Sequence, residues 1–94
     1  LIDLPFGVYS TFVTIDGKKY QGVTNFGIRP TVSDSHKCTL ETHILDFEKD
    51  IYGKYITVEF IKMIRAEKKF KSLDELKNQI IADVLSVKNS TDFT

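Results

Sequence analysis

The stretch "GVYSTFVTIDGKKYQGVTNFGI", Gly7–Ile28, decides the fold. Its first nine residues, Gly7–Ile15, are rich in β-branched and aromatic side chains, which suit the pleated surface of a strand. They run into Asp16-Gly17, a pair that tolerates the positive φ angles of a two-residue hairpin turn. Lys19–Ile28 then reads as the returning strand. Gly22 and Gly27 inside it predict a bulge, a bend or a close backbone approach.

Working outward, Arg29–Lys37 is a polar loop containing Pro30. "CTLETHILDF", Cys38–Phe47, reads as a third strand. Alternation puts Cys38, Leu40, Thr42 and Ile44 on one face and Thr39, Glu41, His43 and Leu45 on the other. The turn "EKDIYGK" leads to a fourth strand, Tyr55–Ile64, where Ile56, Val58, Phe60 and Ile64 share a face interrupted only by Lys62. Four strands with short connections predict a mainly β fold, a small antiparallel, Greek-key-like β-barrel. The last third changes period. Ser72 with Glu75 three residues on is a capping box, so a helix starts at Leu73. Leu73, Leu76, Ile80, Val84 and Val87 then form one apolar stripe, which should pack the C-terminal helix on the sheet and cover it.

Ninety-four residues make one domain, and 41% hydrophobic with 28% charged residues is ordinary for a globular chain. Thirteen basic residues balance thirteen acidic ones. A neutral chain lacks the basic excess of a nucleic-acid binder, so no nucleic-acid partner is expected. No apolar run reaches the length of a membrane span or a signal-peptide core, which predicts a cytoplasmic protein without a membrane partner. Cys38 is the single cysteine, so there is no disulfide framework, and with only His36 and His43 beside it no zinc spacing can be built. No metal ligands are assigned. Asp46, Glu48 and Asp50 lack the pattern of a calcium loop and read as a solvated turn.

Glu41 and His43 sit two apart and point the same way from a strand. Two readings stay open on pattern alone: the wet face of a half-buried sheet, or a functional face carrying a general base or a polar ligand clamp.

In order and in register, "GVYSTFV", "YQGVTNFGIRPT", "LETHILDF", "DIYGKYITVEF" and "IRAEKKFKSLDELKNQI" resemble the riboflavin kinase family. The likeness is greatest to the C-terminal kinase module of bacterial bifunctional riboflavin kinase/FAD synthetases, and runs from about Leu4 to Asp83. It implies transfer of the γ-phosphoryl group of ATP to the terminal ribityl hydroxyl of riboflavin, giving FMN and ADP. It puts the catalytic base on Glu41. Arg65, in the segment over the flavin site, becomes a ligand for the ribityl chain or the product phosphate, and Asn25 a further substrate-binding residue. Thr42 and His43 would orient Glu41 or its strand. A carboxylate is a far weaker base than an alkoxide, but phosphoryl transfer is loose and needs mainly an oriented oxygen and a late proton acceptor.

The resemblance also implies Mg2+ and ATP. The family's glycine-rich strand and Pro-Thr-Ala-Asn block, which hold them, do not occur in this sequence. Residues 1–88 are therefore read as a riboflavin kinase-like domain lacking those N-terminal strands, with 89–94 as a frayed tail. The expectation is a piece of a longer enzyme with an N-terminal adenylyltransferase domain, weak or inactive by itself, with a sheet edge open to pairing. The rival readings are a flavin-binding module without catalysis and a small β-barrel interaction domain.

Overall fold

The computed structural model describes residues 4–30 and 36–90. Strands β1 (Gly7–Ile15), β2 (Lys18–Pro30), β3 (His36–Ile44) and β4 (Ile56–Ala66) precede one helix, α1 (Leu73–Lys88). The opening hairpin forms as its sequence predicts. Ile15 pairs with Lys18 across the turn, and Asp16 and Gly17 both take positive φ, 51° and 79°. All pairings are antiparallel and the strand order is β3-β2-β1-β4. That order, with the fourth strand returning beside the first, is a Greek key.

The barrel expectation needs correcting in one respect. Among the described residues the four strands form one open sheet with β3 and β4 at its ends, because β3 pairs only with β2 and β4 only with β1, so the two edges do not meet. Of the loop expected over Arg29–Lys37, positions 31–35 lie outside the described residues; Arg29 and Pro30 belong to β2 and pair with Lys37 and His36 of β3. Of the tail, residues 91–94 lie outside them, while the Asn89 N–H bonds the Leu85 carbonyl and caps α1.

Five consecutive residues of β1, Gly7–Thr11, are buried, so both faces of this central strand are covered. One face carries Tyr9, Thr11, Val13 and Ile15 with Thr24 and Phe26 of β2, all buried. Its polar members are satisfied by one another. Thr11 Oγ1 lies 3.0 Å from Thr24 Oγ1, which lies 2.9 Å from Thr42 Oγ1, a hydroxyl chain binding three strands. Tyr9 packs edge-on to Phe60 and donates its hydroxyl to the Pro5 carbonyl at 2.6 Å.

Strand β4 does not alternate strictly. Its register against β1 shifts between Val8/Tyr9 and between Ser10/Thr11, leaving Ile64 and Ile61 as the extra residues of two bulges. The bulges explain the Lys62 that interrupts the apolar pattern. Lys62 pairs with Ser10, on the face turned away from the Tyr9 core, and Met63 takes its place opposite Tyr9.

Candidate active site

Register alone assembles the site. Arg65 of β4 pairs with Val8 of β1, Val8 with Asn25 of β2, and Asn25 with Glu41 of β3. Residues paired in an antiparallel ladder project from one face, so these four form a transverse row across the whole sheet. Asn25, Glu41 and Arg65, the residues singled out by the sequence, thus fall in line from three different strands. The row beside it holds Lys62, Ser10, Val23 and His43.

Helix α1 lies over this face and touches it unequally. Near its C-terminal end Val87 is buried, and Gln21 Nε2 of β2 donates to the Val87 carbonyl at 2.9 Å. Towards its N-terminus the helix stands off, and a cleft of about 330 Å³ opens between helix and sheet. That volume falls in the range of small-molecule sites, roughly 300–1,000 Å³. Val8 and Val23 form an apolar floor, and Leu76, Ile80 and Val84 an apolar roof. The expected apolar stripe therefore exists but does not cover the sheet along its length. Its middle, from Leu76 to Val84, walls a cavity.

The polar groups sit at the margins. Glu41 and His43 are exposed on the edge strand β3 and line the cleft with Asn25. Thr42 also borders the cleft, while its hydroxyl bonds Thr24 on the opposite face and ties β3 to the sheet. Glu67, just after β4, also lines the cleft and leans over Gly27, where any Cβ would collide with its carboxylate. Gly27 thus leaves the space that the Glu67 carboxylate occupies over β2.

Arg65 is held by a partner that the sequence reading missed. Its Nε donates to Asp83 Oδ1 and Oδ2 at 3.0 and 3.1 Å, its Nη2 to Oδ2 at 2.9 Å, and its Nη1 to the Ala66 carbonyl at 3.3 Å. Gln79 Nε2 adds a bond to Asp83 Oδ1 at 3.0 Å. The Asp83 carboxylate is buried on α1, and no buried side-chain polar atom among the described residues lacks a partner. One signal could have found it. Asp83 lies three residues after Ile80 and four before Val87, a carboxylate within the apolar stripe itself. Phe70 completes this corner, its ring centre 5.7 Å from the Arg65 guanidinium carbon.

The described residues contain no group of three His, Cys, Asp or Glu side chains placed to hold a metal ion. A second cavity, of about 300 Å³, lies by the Asp16–Gly17 turn, with Tyr20 and Phe47 in its wall and Lys18 and Lys54 beside them. None of the residues singled out by the sequence reaches it.

With this geometry in hand, comparison with known proteins is informative. Residues 1–91 match the flavokinase family, described as riboflavin kinase. The bifunctional riboflavin kinase/FMN adenylyltransferase of Pseudomonas fluorescens is 46% identical over 82 residues, 87% of this chain and 26% of that protein. An RNA-binding riboflavin kinase of Bacillus subtilis is 40% identical over 81 residues, 86% of this chain and 35% of that one. Among solved structures, a Streptococcus pneumoniae protein described as a macrolide-efflux protein superposes with a TM-score of 0.81 at 34% identity, over 92% of this chain and 28% of that chain. The chain thus spans about a quarter to a third of the length of these relatives.

Proposed function

The chain belongs to the riboflavin kinase family, and from that membership we propose that its cleft binds riboflavin and presents the terminal ribityl hydroxyl to the γ-phosphate of ATP. The observation that carries this reading is the single row of Arg65, Val8, Asn25 and Glu41 under the lifted half of α1. An isoalloxazine ring is flat and largely apolar, and the floor of Val8 and Val23 facing Ile80 and Val84 suits it. The ribityl chain carries hydroxyls, which match the amide of Asn25 and the N–H groups of Arg65.

Glu41 then stands at the rim, on an edge strand that a second substrate can approach from solvent. It orients the terminal hydroxyl by accepting its hydrogen bond. As the ribityl oxygen bonds to the γ-phosphorus and the bond to the β–γ bridging oxygen breaks, the hydroxyl proton passes to the Glu41 carboxylate and ADP leaves. Magnesium belongs to this proposal only as the companion of ATP. The described residues hold no group of three His, Cys, Asp or Glu side chains placed for a metal, and no step is assigned to a metal held by them.

We further propose residues 1–88 as the kinase-like unit, acting within a bifunctional enzyme of the kind the Pseudomonas relative's name describes. The triphosphate would be held mainly by a glycine-rich strand and a Pro-Thr-Ala-Asn block, neither of which this sequence contains. The test is FMN formation from riboflavin and magnesium-ATP, followed by chromatography, with Glu41→Gln alongside. A loss of about 100-fold or more in turnover with riboflavin binding retained is expected, the usual scale for a general base. Equal turnover in both removes Glu41 from the chemistry. Binding without turnover in either leaves flavin recognition and takes phosphoryl transfer away from this chain by itself.

A further inference from the structure

Arg65 and Asp83 raise a question that the phosphoryl-transfer reading leaves open: whether the guanidinium serves the neutral substrate or the anionic product. The cleft also meets Lys68, Glu41 and Glu67, but all three are exposed, where water and salt weaken their fields. The charges that act across its drier corner are those of Arg65 and Asp83, whose side chains are 19% and 5% exposed. They form a forked pair with three N–H···O contacts, and Gln79 secures the carboxylate from the side. A forked guanidinium–carboxylate pair is fixed in orientation as well as in charge.

Two consequences follow from that geometry. The pair as a unit is neutral, so the cleft wall offers no uncompensated buried cation to a phosphate. It still offers hydrogen-bond donors, because Nη1 and Nη2 each carry a second N–H beyond the bonds they make to Ala66 and Asp83. A wall of oriented donors without net charge fits the hydroxyls of a neutral polyol. It is a poor match for a phosphate monoester, which carries about −1.5 to −2 charges at pH 7.

We propose that Asp83 is a specificity-determining positioning residue. By holding and neutralising Arg65, it makes the cleft favour riboflavin over FMN, so that the product is not retained by the side chain that positions the substrate. This inference rests on the flavin reading of the cleft. Asp83 lines the cleft, but its carboxylate oxygens are taken up by Arg65 and Gln79, so its effect runs through Arg65. Replacing its carboxylate by an amide keeps the size of the side chain, removes the neutralising charge and frees the guanidinium for a phosphate.

The experiment compares dissociation constants for riboflavin and FMN, read from quenching of flavin fluorescence, in the wild-type chain, Asp83→Asn, Arg65→Ala and the double variant. Asp83→Asn is expected to shift the affinity ratio towards FMN by at least about fivefold, a modest share of the Coulomb energy available at a partly buried site. The shift should shrink as salt is raised and should vanish in the Arg65→Ala background. A purely structural role for Asp83 would weaken both ligands together and leave their ratio alone. An unchanged ratio, or the same shift without Arg65, overturns the proposal.

Should Asp83→Asn fail to fold, the wild-type chain still decides. A neutralised pair predicts no preference for FMN that grows at low salt, and a tenfold or larger preference of that kind contradicts it. If the wild-type chain binds neither flavin, the functional reading falls and this inference with it. If flavins bind and the ratio does not move, only the inference falls.

Discussion

Val87 and Leu73 belong to one apolar stripe on one helix, yet Val87 is 2% exposed and Leu73 is 76% exposed. The C-terminal end of α1 is packed against the sheet and tied to β2 through Gln21. The N-terminal end stands on its own cap, where Ser72 Oγ accepts the Glu75 N–H at 3.2 Å, and the Arg65–Asp83 bridge joins the middle of the helix to β4. Equal periodicity therefore has two physical outcomes. At one end the apolar residues leave water on folding, which stabilises the protein. At the other, Leu73 stays in solvent, and Leu76 and Ile80 next along the stripe wall a cavity that a flat apolar ligand can fill. A stripe reports which face of a helix is apolar, and leaves open what the face meets.

Substitutions can break this contrast at several points. Arg65→Ala should have the largest effect on stability, roughly 3–5 kcal/mol, because it leaves the Asp83 carboxylate buried without its cation. Urea denaturation measures it, and a loss under about 1 kcal/mol would mean that the bridge does not join the helix to the sheet. Val87→Ala comes next at about 2 kcal/mol, from lost apolar burial and the space left behind. It should leave riboflavin affinity nearly unchanged once the chain is folded. Ser72→Ala removes the cap and should cost about 1 kcal/mol, seen as fraying of the first helical turn by amide hydrogen exchange. Ile80→Ala completes the series. Half-exposed Ile80 should change stability by no more than about 0.5 kcal/mol, the usual span for surface positions. It should nevertheless weaken riboflavin binding several-fold, the reverse of the pattern at Val87.

How much of this could be read in advance follows the distance over which each feature is determined. The hairpin was legible because Asp16-Gly17 encodes its own turn, and the helix start because Ser72 and Glu75 satisfy each other locally. The row that joins Asn25 and Glu41 needed only correct strand register, which alternation supplies. The bulges at Ile61 and Ile64 were not legible as such, since an extra residue can be absorbed at many points along a strand. Only the misplaced Lys62 hinted at them. The cleft was not legible at all, because it is bounded by contacts between separate elements, such as Arg65 of β4 meeting Asp83 of α1. Likewise the open sheet could not be told from a closed barrel by counting strands, since closure depends on which edges meet.

Whether the cleft between α1 and the sheet is the flavin site is decided by riboflavin titration of the isotopically labelled chain, followed by nuclear magnetic resonance. The predicted result is a cluster of shifted backbone signals at Val8, Val23, Asn25, Glu41, Arg65 and Ile80, with Val87 and the Asp16–Gly17 turn unmoved. Shifts gathered instead at Tyr20 and Phe47 by the second cavity, or none at saturating riboflavin, would contradict it.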